Sequence, residues 1–279
     1  MFSTAELAVA FPSKQFGTTL FAFEEISSTN SFSLELIRQN PQDNTLIYAD
    51  HQTTGRGRLD RQWFSPPGLN IYASLLKAFS PTDISIQHTG WIPLLAGLAI
   101  AQALEEATGL PHSLKWPNDL LIRGKKVGGL LCESANDKEG TRWVIIGFGV
   151  NVNQTTAIFP LELQETSTSL HTESGQTWDR LPLLARITAT IEHLMAAFTS
   201  PNPQGLQIWQ EAYQHRCSTI GQMVQVQNPD GSYLTGRAQS IGEQGQLQVC
   251  PIPSITKPQS DRIVDIHAGD ILHIRPTTA

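Results

Sequence analysis

A chain of 279 residues, 40% hydrophobic and 16% charged, is long enough for about two domains and buries enough surface to hold a core without cross-links. Its three cysteines, Cys132, Cys217 and Cys250, are scattered and form no CxxC pair, which argues against a disulfide framework or a cysteine-rich zinc site and for a reducing compartment. Nineteen Lys+Arg against 25 Asp+Glu leave a net charge of -6, so the broad basic face of a general nucleic-acid binder is missing and any anion must be met by a local cluster.

The N-terminal run MFSTAELAVAFPSKQFG lacks the basic start of a leader, and the most apolar stretch, WIPLLAGLAIAQAL, is broken by Pro93 and Gln102 short of the ~20 residues a membrane span needs. A cytoplasmic protein with no membrane partner is expected. Ser28 and Thr29 are good caps for a short helix over SFSLELIRQ, closed by Pro41, with Phe32, Leu36 and Ile37 near one face. TLIYAD and LNIYASLL read as strands; between them HQTTGRGRLDRQWFSPPG has neither helical nor strand period. An apolar helix from Trp91 to Ala107 follows, with Gly109 as its terminator, then short strands HSLKW, DLLI, KVGGLLCES and TRWVIIGFGV with RGKK as a hairpin turn.

From Asp179 a helix carries Leu184, Ile187, Ile191, Leu194 and Phe198 on one stripe, and PQGLQIWQEAYQHR reads as another. Strands followed by helices predict an α+β domain over residues 1–216. Beyond Cys217 the texture changes to short alternating segments punctuated by Pro229-Asp230-Gly231 and Gly245-Gln246, which predicts a small antiparallel β domain over 217–279 that leans on the first.

The chemistry-bearing residues are cations and glycines. Arg56, Arg58 and Arg61 lie within one short loop, where Gly55 and Gly57 let the backbone approach a ligand; guanidinium forks suit phosphate and carboxylate. Charge runs are more often solvated than functional. Here the run continues into Trp63 and Phe64 and sits between two apolar strands, which fits a lid. In KWPNDLLI, Lys115 is presented at a strand end as a point charge, beside an Asn118-Asp119 turn. Gly128 and Gly129 inside a strand mark a bulge or a close approach, and Gly147, Gly149 and Asn151 form a fourth cluster. A phosphate-binding GxxxxGK[ST] loop, a GxSxG elbow and an HExxH pair are all lacking, GRGRLD is short of a dinucleotide fingerprint, and the eight histidines show no ligand spacing.

Taken in order, SSTN, HQTTGRGRLDRQW, NIYASLL, KWPNDLL, KVGGLL and GFGVNVN resemble the biotin–protein ligase family, the biotin–acetyl-CoA-carboxylase ligases, over Ser28 to Asn151, with a weaker match through to Arg275. The resemblance implies a mixed β-sheet backed by helices, of the class II aminoacyl-tRNA synthetase-like kind, followed by a small SH3-like β-barrel. It implies an enzyme that makes biotinyl-5′-AMP from biotin and ATP, with Mg2+ entering on ATP rather than on a side-chain cluster, and then biotinylates a lysine of the biotin carboxyl carrier protein of acetyl-CoA carboxylase. It allows a homodimer, and an exposed sheet edge serves a second copy or the carrier equally well.

By the same resemblance Ser28, Thr29, Asn30, Gln52, Gly55, Arg56, Arg58, Lys115, Gly128 and Gly129 are expected to bind biotin. Arg56, Gly57, Arg61, Trp63, Asn118, Lys126, Asn151 and Arg275 are expected on the nucleotide side, with Lys115 and Arg58 at the reacting groups. Asp119 reads either as a base for the incoming lysine or as a turn residue. Asp60 stands where the family usually has glycine; aspartate tolerates a left-handed turn, but its charge opposes an anionic ligand. Too few residues precede Ser28 for the helix-turn-helix that some members carry, so no DNA binding is expected. Two other readings stay open: a lipoate or octanoyl ligase on the same fold, and a non-catalytic biotin sensor.

Overall fold

The computed structural model describes residues 2–11, 16–79, 89–199, 203–227, 233–252, 263–267 and 270–273. The first part is a seven-stranded sheet in the order β1-β2-β3-β7-β6-β5-β4. Its strands are β1 (Thr19–Ile26), β2 (Thr45–Gln52), β3 (Ile71–Phe79), β4 (Ser113–Lys115), β5 (Asp119–Ile122), β6 (Lys125–Asn136) and β7 (Arg142–Val150). Only β1 and β2 pair in parallel; the other pairs are antiparallel, so the sheet is mixed and the fold α+β.

The central strands read as continuous apolar runs because both faces are covered. Leu46, Tyr48, Leu75, Val144 and Ile146 face the main core, which is built with α3 (Trp91–Thr108) and α5 (Arg180–Thr199). Their neighbours Ile47, Leu76, Trp143 and Ile145 point the other way, toward Ile37 of α2 (Thr29–Gln39). Strand alternation therefore sorts one sequence run into two cores. Helix α3 is apolar around most of its girth because it lies between the sheet and α5, and Gly109 ends it in the left-handed conformation (φ 70°). Among the described residues no helix is long and apolar enough to cross a membrane.

Elements α1 (Thr4–Ala10) and β1 were not among the sequence expectations. A capping box, Ser3 with Glu6, starts α1, but the helix is too short to display an apolar face, and β1 is a half-buried edge strand without clear alternation. A short α4 (Leu170–Ser174) precedes α5, and α6 (Pro203–Arg216) follows it.

A second, five-stranded antiparallel sheet is formed by β8 (Met223–Gln227), β9 (Tyr233–Ile241), β10 (Leu247–Pro251), β11 (Val264–Ile266) and β12 (Asp270–His273), in the order β11-β10-β9-β8-β12. Its Val224, Val226, Ala238, Leu247 and Val249 join the main core. Two tryptophans, one at the start of α3 and one in the β4–β5 turn, pin it to the first part: the Trp91 indole donates to the Glu243 carbonyl at 2.9 Å, and the Trp116 indole to the Gly245 carbonyl at 3.0 Å. The Pro229-Asp230-Gly231 turn, the Phe198 side chain and Arg275 lie outside the described residues.

Candidate active site

A cleft of about 890 Å³ opens on the α2 face of the sheet, lined by the N-terminus of α2, the basic loop, the β4–β5 corner and the glycines of β6 and β7. The floor is polar and buried. Ser28 caps α2, its hydroxyl accepting from the Ser31 N–H at 3.4 Å. The Thr29 N–H donates to Gln52 Oε1 at 2.9 Å, and the Gln52 amide donates to the Ser65 hydroxyl at 3.1 Å. The Ser74 hydroxyl donates to Asn30 Oδ1 at 2.6 Å and lies 2.8 Å from the Thr29 hydroxyl. The Asn30 amide in turn donates to the Leu131 carbonyl and to Glu133 Oε2, both at 2.9 Å. A buried network satisfied on this scale locks each side chain in one orientation.

The run without a period is itself a small hairpin. Trp63 N–H donates to Gly55 O at 2.8 Å, Arg56 bridges Gln62, and Gly57 N–H donates to Arg61 O at 2.7 Å. Both central residues of its turn, Leu59 (φ 52°) and Asp60 (φ 57°), are left-handed, as two-residue hairpin turns of the primed type require. The tolerance expected of Asp60 is used. Gly55 is needed because a Cβ there would overlap the Trp63 carbonyl oxygen. Arg56 does not point an open fork into the cleft: its two terminal nitrogens meet the two Glu133 oxygens at 2.9 Å each.

Trp63 folds back over β6 and β7. Its indole packs so closely on Gly149 that a Cβ there would overlap the ring, and a Cβ on Gly129 would come within 3.2 Å of it. Lys126 Nζ stands 5.3 Å from the ring centroid and forms an ion pair with Asp119 at 2.5 Å. The Trp63 indole N–H is buried with no hydrogen-bond partner among the described residues. Gly128 faces the Gly149 carbonyl, from which an added Cβ would lie 3.0 Å away.

Lys115, at the end of β4, lines the same cleft, and among the described residues its ammonium has neither a hydrogen-bond nor an ion-pair partner. Arg58 and Arg61, flanking the hairpin turn, line it as well. Asn118 donates to the Leu130 carbonyl at 2.7 Å and Asn151 to the Thr168 carbonyl at 3.0 Å, so both are held as walls. Every site residue expected from the sequence is thus brought to this cleft or its immediate border, apart from Arg275, which is not described.

Ser65, Ser74 and Glu133 were missed: each is a common polar residue whose partners lie on other elements, and only the carboxylate closing an apolar strand marks Glu133. A second cavity of about 490 Å³ shares Arg58, Trp116 and Asn118 with the cleft and reaches Cys132 and the Gln244–Gln246 turn. Burial, aided by the Glu133 charge, pushes the Cys132 thiol up to about 12, which keeps it protonated and unreactive at neutral pH.

The sequence profile of the biotin/lipoate A/B protein ligase family matches residues 22–151. The bifunctional ligase/repressor BirA of Bacillus spizizenii is 35% identical over 245 residues, spanning 88% of this chain and 73% of that protein. The biotin–[acetyl-CoA-carboxylase] ligase of Mycobacterium tuberculosis is 31% identical over 257 residues, 90% and 88% of the two chains. Among solved structures, the biotin protein ligase of Aquifex aeolicus in complex with biotin and ATP superposes with a TM-score of 0.73 at 28% identity, covering 93% of this chain and all of that one. With fold, cleft and relatives in agreement, this chain belongs to the biotin/lipoate A/B protein ligase family, among its biotin–protein ligases.

Proposed function

We propose that the protein joins biotin to ATP, forming biotinyl-5′-adenylate and pyrophosphate, and then passes the biotinyl group to a lysine of a biotin carboxyl carrier domain, releasing AMP. The observation that carries this reading is Lys115, an ammonium unpaired among the described residues, in a cleft whose floor is a fixed set of hydrogen-bonding groups and whose roof is an arginine-bearing hairpin. In the first step a biotin carboxylate oxygen attacks the α-phosphorus in line and pyrophosphate leaves. No protein nucleophile is required; the task is positioning and charge stabilisation.

The polar floor of Ser28, Thr29, Asn30 and Gln52 is assigned to the biotin head group. Lys115 is assigned to the carboxylate and α-phosphate, where a cation in a water-poor site stabilises the charge that develops. Arg58 and Arg61 are assigned to the phosphates, and Trp63, held by Gly129, Gly149 and Lys126, to the nucleotide side with Asn118 and Asn151. Mg2+ is assigned to the phosphates of ATP. Asp119 is tied to Lys126, and its assigned task is to hold that lysine under Trp63.

In the second step the lysine nitrogen of the carrier attacks the acyl carbon of the mixed anhydride, the bond to AMP breaks and the amine loses a proton. The hairpin keeps water from the anhydride meanwhile. We further propose 1–216 as the catalytic domain, 217–279 as a C-terminal domain and the cytoplasm as the site of action; the end of α6 at Arg216 supports the boundary.

The test is pyrophosphate release with biotin and MgATP, with and without a carrier domain, with lipoate as the control acid. Release with biotin and covalent labelling of the carrier support the reading. Tight biotin binding without release would replace it with a sensor, and preference for lipoate would replace the substrate.

A further inference from the structure

Glu133 is not part of the cleft wall, yet two parts of the site meet on it. Arg56, from the first arm of the hairpin, engages both of its carboxylate oxygens at 2.9 Å, and the Asn30 amide donates to one of them at 2.9 Å. From Asn30 the chain of polar contacts runs through Ser74 and Thr29 to Gln52 and Ser65, whose hydroxyl donates to the Trp63 carbonyl at 3.0 Å. The network therefore starts on one arm of the hairpin, crosses the floor of the cleft and returns to the other arm. Its members come from α2, β2, β3 and β6, so no local segment could hold the hairpin this way.

A lone exposed ion pair contributes little. This one differs in two respects: the fork is bidentate, and the carboxylate, about four-fifths covered, is shared with a buried amide. The pairing takes one N–H from each terminal nitrogen of Arg56, so the end-on fork of the guanidinium is committed to Glu133.

We infer that Glu133 is a positioning residue that clamps the root of the basic hairpin to the floor of the acyl pocket, with Arg56 as the anchor of the hairpin. The kinetic part of this inference rests on the function proposed above. Without the clamp, the hairpin lifts more often, Asn30 loses one of the partners that aim it, and the adenylate escapes before transfer.

The experiment compares the wild-type chain with Glu133→Ala, Glu133→Gln, Arg56→Ala and the Arg56→Ala/Glu133→Ala pair. Three readouts are taken: the rate of tryptic cleavage at Arg58 and Arg61, which all the variants retain; the KM for biotin against kcat for pyrophosphate release; and the fraction of adenylate released into solution. Glu133→Ala is expected to speed cleavage in the hairpin and to raise the KM for biotin by about tenfold, the loss of charge-assisted bonds. It is expected to release more adenylate, with little change in Tm. Glu133→Gln, which keeps an acceptor for Asn30 but loses the charge, should fall between. The double variant should be no worse than the more impaired single, because both act through one contact.

Cleavage and biotin KM at wild-type values in Glu133→Ala would overturn the inference, as would additive effects in the pair. A fall in Tm and kcat with an unchanged KM would mark Glu133 as a fold residue only and overturn it equally. If the wild-type chain makes no adenylate, the proposed function fails, while hairpin proteolysis still decides the clamp.

Discussion

Gly147 of β7 lies directly against the Asn30 side chain: a methyl group built on its Cα would overlap the Asn30 Oδ1 and come within 2.7 Å of its Cγ. Neither neighbour can give, because Gly147 is paired with both Ser74 and Leu131 in the sheet and Asn30 is held by Leu131, Glu133 and Ser74. Gly147→Ala should therefore expel the Asn30 amide from its place on the cleft floor. The expected result is a rise of about tenfold or more in the KM for biotin, with overpacking that destabilises by about 1–3 kcal/mol. Biotin calorimetry alongside a thermal melt checks it, and an unchanged affinity would remove Asn30 from the biotin site.

Lys115 presents the opposite case, a charge with no role in holding the structure. Lys115→Met keeps the length of the stem and removes the ammonium, which has no partner among the described residues to leave behind. Pyrophosphate release should slow by about 10- to 100-fold, the worth of one charge-assisted contact made in the transition state, while Tm stays within error. A variant that loses stability but keeps kcat would contradict the assignment.

The hairpin turn carries a left-handed aspartate, Asp60 (φ 57°), beside two arginines. Asp60→Gly relieves a backbone conformation that costs roughly 1 kcal/mol and removes an exposed negative charge from a loop proposed to meet phosphates. The KM for ATP should fall by about two- to fivefold, the range of an exposed charge interaction, as read by initial-rate kinetics. An increase would mean that the aspartate helps to hold the turn.

Strong acid should break the pair that joins β2 to the start of α5. Burial pushes the Asp50 carboxyl up, but the Arg180 guanidinium, 2.9 Å away, outweighs it and holds the group below its ordinary value of about 3.8. The folded carboxyl thus binds its proton less tightly than the unfolded one. Its contribution is complete above about 3.8 and is lost as pH falls through the lower folded value. A series of melts against pH should show this acid limb flattened in Asp50→Asn. Arg180→Met should destabilise by roughly 3–5 kcal/mol at neutral pH, because it removes the counter-charge of a buried carboxylate and leaves the Tyr48 hydroxyl still donating to it.

Much of the site was legible because its pieces are local. The Ser28 cap, the Gly109 terminator, the glycine pairs and the lysine at the end of KW are each set by backbone geometry or by a few neighbouring residues. The basic run had no period because its hairpin turns on two left-handed residues, neither of them glycine. Glu133 was invisible for a different reason: its partners Arg56 and Asn30 lie 77 and 103 positions away.

The sequence by itself determined the order of elements, the α+β class, the cluster of cations and the resemblance that named a chemistry, since caps, periods and motif spacing act over a few residues. Tertiary structure alone decided which cations are spent and which remain. Arg56 is neutralised by Glu133 and Lys126 by Asp119, while Lys115 has no ion-pair partner among the described residues. Pairing of charges depends on which strands lie side by side, and that is settled only when the sheet closes around its core.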